Sequence, residues 1–293
     1  MQTTQSTIIS KLKDYKELTK FTLSFTVVFT CVICYLLAPN IISYNWKMIT
    51  LLFVAGMLIT GSANAINQAV EKNSDKLMKR TANRPVASGR MSQNEAYTFA
   101  IIAGIIGTLM MWYFFNLSSA LVSAFSLFLY SFIYTPLKKI NSIAVLIGGI
   151  PGALPCLIGW VAGQDDFSAA GWTLFAIQFI WQFPHFWAIA WVAHQDYTAA
   201  GFKLLPSDKG PTKFTAIQAI MYSVLLLPIG VLPYFIGLTG SISMWVVILC
   251  NIVMMVQCVR LYNDLNIKAA RRVMFSSYIY LPIVFLALLA DKL

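Results

Sequence analysis

The 293-residue chain has few charged residues, because Asp, Glu, Lys and Arg make up only 11% of it. Soluble domains carry about 25% charged and roughly 45–50% apolar residues, whereas 58% of this chain is hydrophobic and its mean hydropathy is +0.71. These values exclude an ordinary soluble enzyme and a disordered chain. Acidic residues are scarcest, since 11 Asp and Glu stand against 21 Lys and Arg, a net charge of +10. Such a basic excess is typical of proteins that bind nucleic acid or a membrane surface.

Cysteine is also scarce, with five residues in the chain, which excludes a disulfide scaffold. All five cysteines lie in apolar segments, at Cys31, Cys34, Cys156, Cys250 and Cys258. Cys31 and Cys34 have the spacing of a redox motif, but no α/β pattern surrounds them and no nearby histidine completes a metal set. We therefore predict that the cysteines are small buried hydrophobic side chains.

Long hydrophobic runs are abundant. A helix needs about 20 mainly apolar residues to span a bilayer, and nine runs qualify: Phe21–Pro39, Met48–Ala69, Ala96–Phe115, Leu117–Pro136, Ser142–Gly163, Ala169–Ala193, Phe214–Ile236, Ser241–Leu261 and Val273–Ala290. Asn116 separates the third and fourth runs, which predicts a tight hairpin, and Ser92-Gln-Asn-Glu95 has the pattern of a capping box. The sequence predicts an all-α polytopic membrane protein with nine transmembrane helices. We expect residues 1–293 to form one membrane-embedded domain with a polar arm at 1–20.

The cations are distributed unevenly between the two predicted faces of the membrane. Nineteen of the 21 Lys and Arg residues lie in the N-terminal arm, in the connections after the even-numbered spans or, for Arg260, at the adjoining end of the eighth span, and only Lys47 and Lys292 lie on the other side. Because Lys and Arg in short loops mark the cytoplasmic face, we predict a cytoplasmic N-terminus and an external C-terminus. The arm contains Asp14 and Glu17 and does not resemble a transit peptide. These features favour a bacterial plasma membrane and predict no role in nucleic acid binding.

Four polar residues follow one stripe at the end of the second span. Asn67, Glu71 and Asp75 are spaced four residues apart, so they share a helix face, and Asn64 lies one turn earlier. An amide and two carboxylates at the mouth of a helix bundle suit Mg²⁺, which is usually bound through one or two carboxylates plus substrate phosphates. The alternative is a solvated helix end whose acids pair with neighbouring lysines such as Lys72, Lys76 or Lys79.

A second polar cluster follows the sixth span, where Asp196 and Tyr197 emerge on the same predicted face as Glu71 and Asp75. Two acidic helix ends flanked by Lys and Arg are suited to a Mg²⁺–diphosphate site, because the metal bridges carboxylate and phosphate while the cations neutralise the remaining charge. The rest of the chain would supply an apolar cavity for a long hydrocarbon. Together the two clusters predict an active site at the cytoplasmic face.

Four stretches of the chain identify a family by their order and spacing. They are Asn67-x-x-x-Glu71-x-x-x-Asp75-x-x-Met78-x-Arg80-Thr81-x-Asn83-Arg84-Pro85, Tyr134-Thr-Pro-Leu-Lys138-Lys139, Pro151-Gly-Ala-Leu-Pro155-x-Leu-Ile-Gly159-Trp160, and His185-Phe with Asp196-Tyr197-x-x-Ala200-Gly201 and Leu205-Pro206. This set resembles the protohaem IX farnesyltransferases (haem O synthases), which belong to the UbiA superfamily of intramembrane prenyltransferases. The resemblance covers roughly the second to the seventh span.

The resemblance implies transfer of a farnesyl group from farnesyl diphosphate to a vinyl group of haem b, with Mg²⁺ assisting the departure of diphosphate. By matching position, the residues that hold Mg²⁺–diphosphate are Asn67, Glu71, Asp75 and Asp196, and those that bind substrate are Asn64, Arg80, Arg84, Lys138 or Lys139, His185 and Tyr197. The planar guanidinium of arginine suits phosphate oxygens. A haem A synthase is a further partner that the resemblance suggests.

The chain departs from the superfamily pattern at two places. Glu71 stands where many members have Asp, and Gln68 stands where many have a second acid. Further charged residues often precede the Asp-Tyr pair, whereas this chain has His194 and Gln195 there. The second region therefore contributes a single carboxylate, which argues against a symmetric site for two metal ions.

His185 is the one histidine deep in a predicted span. Imidazole is a ligand of haem iron, so His185 is a candidate axial ligand or a residue that orients the vinyl side of haem. The alternative is a hydrogen-bonded residue of the helix bundle beside Pro184.

Two other functions agree with parts of the sequence. A related prenyltransferase could act on a quinone precursor or another aromatic acceptor, although the His185-Phe and Asp196-Tyr197 region favours haem. A cation-coupled transporter would place ionisable groups at the membrane midplane between inverted repeats. The carboxylates of this chain cluster at one face and no repeat is evident, which argues against a transporter.

Overall fold

The computed structural model describes residues 2–207 and 209–293, with side chains from residue 8 onward, and it is almost entirely helical. The helices are α1 (Gln2–Leu18), α2 (Phe21–Leu37), α3 (Trp46–Val70), α4 (Lys72–Leu77), α5 (Gln93–Phe114), α6 (Leu117–Phe128), α7 (Thr135–Leu137), α8 (Ala144–Gln164), α9 (Ala169–Val192), α10 (His194–Ala199), α11 (Lys213–Phe235), α12 (Ser241–Asp264) and α13 (Ile267–Ala290). A π-helical segment, Leu129–Tyr134, joins α6 to α7. One isolated bridge, between Thr239 and Lys292, is the only β pairing in this part of the chain.

Each of the nine predicted spans overlaps one long helical segment, which confirms the all-helical membrane fold. Seven segments are long and apolar enough to cross a membrane by themselves, and α1 with α2, bent by 51°, would form an eighth span. The predicted span that is not among them is α9, whose hydropathy is reduced by the polar residues Gln178, Gln182 and His185. The count of nine crossings therefore stays a prediction.

Side-chain caps set the beginnings of several helices. The Ser92 side chain accepts a hydrogen bond from the Glu95 backbone N–H at 3.0 Å, so the predicted N-cap of α5 is confirmed. Asn116 accepts from the Ser119 backbone N–H at 2.7 Å and is the N-cap of α6, two residues after the end of α5, which confirms the tight hairpin. The Glu95 carboxylate does not close the capping box, because it binds the side chains of Lys11 and Tyr15 on α1.

The core of the bundle is formed where α8 packs against α2 and α9. Most of α8 is buried, including Trp160, and small residues allow close helix contact. A side chain at Gly159 would collide with the Cys31 carbonyl on α2, so only glycine fits at this crossing. Cys31 and Cys34 are buried free thiols in this interface, as predicted.

Two features of the fold, absent from the sequence predictions, position the site. The π-helical segment leads directly into α7, and the Thr135 hydroxyl donates to the Tyr130 carbonyl across it at 2.8 Å. Single π-helical turns are frequent at functional sites. In addition, the chain breaks between α1 and α2 at Lys20, which has a left-handed backbone with φ 47°. This break turns the predicted polar arm back over the end of α3.

Candidate active site

The first predicted acidic region is buried at the junction of α3 and α4. Asn67 lies in the last turn of α3, Glu71 is the junction residue and Asp75 lies in α4. Their exposed fractions are 1%, 5% and 0%. The alternative of a solvated helix end paired with Lys72, Lys76 or Lys79 is therefore wrong, because buried carboxylates need partners close at hand and those partners come from elsewhere in the chain.

Asp75 is paired with Arg84 of the connection between α4 and α5. Both carboxylate oxygens accept hydrogen bonds from Nη1 of Arg84 at 2.9 Å. The Thr81 hydroxyl donates to the Asp75 backbone carbonyl at 2.9 Å and holds this connection against α4. The guanidinium of Arg84 also lines the large cavity described below. Asp75 therefore fixes the orientation of the Arg84 guanidinium beside the cavity.

Glu71 is paired with Lys138, which follows α7. The Lys138 ammonium also lies over the aromatic rings of Tyr134 and Phe202, at 4.9 and 5.3 Å from their centroids. Such cation–π contacts are stronger when the cation is desolvated. Lys139 is exposed to solvent. The structure thus separates the two lysines that the sequence left as alternatives, because Lys138 alone lies against the acidic region.

Lys20 is a site residue that the sequence analysis counted only as a topology signal. From the break between α1 and α2, its ammonium donates to the Asn67 side-chain oxygen at 3.0 Å. Two further amides of α3 hold the break in place: Asn64 donates to the Thr19 carbonyl at 3.2 Å, and Gln68 donates to the Leu18 carbonyl at 3.0 Å. The position of Lys20 at the start of the first apolar run was the available signal.

The second predicted region is built differently. Tyr197 on α10 lines the cavity, and its hydroxyl accepts a hydrogen bond from Arg80 at 3.3 Å. Asp196 is partly exposed, and its carboxylate has no hydrogen-bond partner in the described part of the chain. The Lys203 backbone N–H donates to the Lys138 carbonyl at 2.8 Å, which joins this region to the first one. The structure therefore brings Tyr197, rather than Asp196, into contact with Arg80.

One cavity of about 1200 Å³ connects these elements. The side contributed by α1, the break after it and the connection between α4 and α5 is here called the basic end, and it carries Lys13, Lys16, Lys20, Arg80 and Arg84 together with the acidic Glu17. The side contributed by α8, α9 and α13 is called the apolar end, and it carries Val145, Phe186, Ile189, Val192, Met274 and Tyr278. His185 lies in the wall of the cavity. Ligand pockets usually measure about 300–1,000 Å³, so the volume is sufficient for a large ligand or for two ligands side by side. The charge distribution suits a ligand with an anionic head and a hydrocarbon tail.

Helix α1 covers the basic end of the cavity and is held there by ion pairs. Arg90 donates to Asp14 at 2.8 Å and to Glu17 at 2.7 Å, and Lys11 donates to Glu95 at 2.9 Å. The hydrogen bond to Asp14 raises the pKa of Arg90 above its ordinary value. Asp14 is buried, whereas the side chains of Arg90, Glu17 and Lys11 are exposed, and exposed ion pairs contribute little stability individually. Their role here is to hold α1 in position against the connection that carries Arg84.

Comparison with known proteins agrees with this architecture. The UbiA prenyltransferase family matches residues 27–287 of the chain. The protohaem IX farnesyltransferase of Cytophaga hutchinsonii is 44% identical over 284 residues, which cover 97% of this chain and 99% of that relative.

Solved structures share the fold at lower identity. A digeranylgeranylglyceryl phosphate synthase superimposes with a TM-score of 0.79 at 23% identity, over 96% of this chain and 98% of the other. A UbiA homologue from Archaeoglobus fulgidus, bound to GPP and Mg²⁺, gives a TM-score of 0.61 at 14% identity, over 94% of this chain and 99% of the other. The match of the family model to residues 27–287 and the 44% identity to a full-length relative show that the chain belongs to the UbiA prenyltransferase family.

Proposed function

We propose that this prenyltransferase transfers the farnesyl group of farnesyl diphosphate to a vinyl group of haem b, with addition of water, giving haem O and diphosphate. The observation that carries the proposal is the large cavity, whose basic end includes Arg84, the partner of the buried Asp75, and whose apolar end is lined by aromatic side chains and His185. The name of the Cytophaga hutchinsonii relative supports the choice of acceptor.

The basic end binds the diphosphate. Arg84 is oriented by its hydrogen bonds to Asp75, and Arg80 by its hydrogen bond to the Tyr197 hydroxyl, so both guanidinium groups have fixed orientations beside the cavity. Lys20 and Lys138 add point charges from two other segments of the chain. Preorganised cations stabilise the charge that develops on a departing diphosphate without reorganising during the reaction.

The acidic residues fit a Mg²⁺ ion that arrives with its diphosphate. Glu71 and Asp75 are buried one helical turn apart, and no group of three or more His, Cys, Asp or Glu side chains in the described part of the chain forms a ready-made metal cage. Mg²⁺ is commonly bound by one or two carboxylates together with substrate phosphates. We assign Asn67, Glu71 and Asp75 as the residues that would hold it, with Asp196 approaching from α10. When bound, the ion neutralises charge on the leaving diphosphate.

The reaction needs alignment and exclusion of stray water. The bond between C1 of the farnesyl chain and the diphosphate oxygen breaks, and its electron pair leaves with diphosphate. The terminal vinyl carbon forms the new C–C bond, water adds its oxygen to the other vinyl carbon, and one proton is released. The apolar wall, with Phe186 and Tyr278, protects the allylic cation from other water molecules. Holding both substrates in one cavity supplies the proximity that the reaction requires.

The protein is a multi-pass membrane protein, and the outer faces of its helices contact the lipid bilayer. Large apolar side chains such as Ile105 and Leu121 are exposed on the outer faces of α5 and α6. We further propose a bacterial plasma membrane, with the N-terminus and the active site on the cytoplasmic side and the C-terminus outside, because the Lys and Arg residues are distributed in that sense. A haem A synthase is a proposed recipient of the product.

Purified protein in nanodiscs tests the proposal when haem b, farnesyl diphosphate and Mg²⁺ are supplied together. The expected product is a haem that is heavier by one farnesyl group plus one hydroxyl, detected by liquid chromatography and mass spectrometry. Omission of Mg²⁺ is expected to abolish the product, and replacement of Asp75 by Asn is expected to reduce it by about a thousandfold. Prenylation of an aromatic quinone precursor without any haem product would overturn the choice of acceptor and retain the family.

A further inference from the structure

His185 is held rigidly between α9 and α13. It is only 8% exposed, and its imidazole stacks on Trp181 one turn earlier in α9, with ring centroids 4.7 Å apart and planes 18° apart. The Tyr278 ring of α13 meets it edge-on at 5.1 Å. The Trp181 indole in turn donates to the Ser277 carbonyl at 3.1 Å. The ring therefore has one fixed orientation before any ligand binds.

The hydrogen bonds of Ser277 determine which ring nitrogen of His185 carries the proton. The Ser277 hydroxyl donates its single proton to the Met274 carbonyl at 2.6 Å. The same oxygen lies 2.7 Å from Nδ1 of His185. With the hydroxyl proton directed at Met274, both contacts are satisfied when the hydroxyl oxygen accepts from Nδ1–H, and we assign this tautomer to His185. The neutral imidazole then has its lone pair on Nε2.

Nε2 has no hydrogen-bond partner among the residues that the structure describes, and His185 lines the cavity. Histidines that ligate metals usually donate their other N–H to a neighbouring group, as Nδ1 does here to Ser277. The arrangement is thus that of a metal-ligating histidine whose metal arrives with a ligand.

We propose that Nε2 of His185 ligates the iron of haem b and so positions the porphyrin for farnesyl transfer, an inference that rests on the proposed function. A bare metal ion would need several protein ligands, and no group of three or more candidate side chains occurs in the described part of the chain. Haem iron brings four porphyrin nitrogens of its own, so one histidine is sufficient. The aromatic side chains around His185 provide the flat apolar surface that a porphyrin ring requires.

The chain contains only two histidines, which makes the test direct. Haem b and iron-free protoporphyrin IX are titrated into purified protein and into the variants His185→Ala and His194→Ala, with affinity and absorption spectra as readouts. We expect His185→Ala to lose the Soret band of histidine-ligated haem and to bind haem b about tenfold more weakly or worse. Its affinity for iron-free protoporphyrin is expected to be unchanged, and added imidazole is expected to restore the band. His194→Ala is expected to behave as the parent protein.

Ser277 provides a second test that keeps the histidine in place. Ser277→Ala removes the acceptor for Nδ1–H, so we expect the Soret band to shift and haem affinity to fall by about tenfold, while Ser277→Thr restores both.

An unchanged haem spectrum in His185→Ala, or an equal loss of affinity for haem b and iron-free protoporphyrin, would overturn iron ligation. If iron ligation is overturned but the parent protein still farnesylates haem, the proposed function is retained. Prenylation of another acceptor alone, without haem farnesylation, would refute the function itself.

Discussion

The two acidic regions of the site differ in how firmly the fold holds them. Asp75 is fully buried and accepts two hydrogen bonds from Arg84, whereas Asp196 is partly exposed on the short helix α10. Taking a charge out of water is costly unless a partner compensates for it. The first region can be buried only because Arg84 and Lys138 neutralise it, so it is assembled with the fold. The second remains in contact with water, and we expect it to be completed by the substrate.

Among the variants that test this difference between the two acidic regions, Asp75→Asn should show the largest loss of activity and of stability. We expect farnesyl transfer to fall by about a thousandfold, because the variant loses a charge at the leaving group and the orientation of Arg84. The free energy of unfolding should fall by about 3 kcal/mol, since Arg84 keeps a charge without its counter-ion. Product formation and thermal unfolding in nanodiscs measure the two effects. Activity within tenfold of the parent would contradict the role assigned to Asp75.

The adjacent lysines give a matched pair. Lys138→Gln leaves Glu71 buried without its ion partner and removes a cation from the site, so we expect catalytic efficiency to fall by about a hundredfold. Lys139→Gln changes an exposed side chain, and its effect on the free energy of unfolding should stay within about 0.5 kcal/mol. Steady-state kinetics with farnesyl diphosphate compares the catalytic efficiencies of the two variants, and only Lys138→Gln is expected to show the large loss. Equal effects in both variants would mean that net charge, rather than the contact with Glu71, matters.

Replacement of Asp196 by Asn tests the region that the fold holds loosely. We expect kcat/KM to fall about tenfold, equivalent to one charged contact of about 1.4 kcal/mol. The free energy of unfolding should change by less than about 0.5 kcal/mol, as is usual for a surface site. Kinetics and thermal unfolding are measured on the same sample. A loss of stability as large as that of Asp75→Asn would show that the two regions are equally built into the fold.

The smallest effect is expected for the ion pairs that hold α1. Arg90→Gln should lower the free energy of unfolding by about 1 kcal/mol, because Arg90 and Glu17 are exposed and only Asp14 is buried. KM for farnesyl diphosphate should rise at low ionic strength, and the difference from the parent should shrink as salt screens the pairs. Arg271→Gln, a change at an exposed arginine without an ion pair in the described part of the chain, is the control. A salt-independent rise in KM would assign Arg90 a direct contact with substrate.

The helices were predictable because each depends on a local property, the length of an apolar run. The largest boundary difference is six residues, at the start of the ninth span, which was predicted at Val273 and begins at Ile267. The first acidic region was predictable for the same reason, since the spacing of Asn67, Glu71 and Asp75 depends only on helix periodicity.

The choice between neighbouring residues was not predictable. Lys138 and Lys139 are chemically identical and adjacent in sequence, and long-range packing against Phe202 and Glu71 decides which one is buried. Lys20 joins the site only because the chain breaks before α2 and amides of α3 hold the break. No local pattern in the sequence specifies that bend.

By itself the sequence determined that the protein is a helical membrane protein and a UbiA prenyltransferase, because composition, run length and motif spacing are properties of the chain alone. Only the tertiary structure decided how the charges pair, with Arg84 on Asp75 and Lys138 on Glu71. It also decided that the Ser277 hydroxyl would meet Nδ1 of His185, 92 residues earlier in the chain. These contacts join distant segments, and their energies depend on burial, which exists only once the helices have packed.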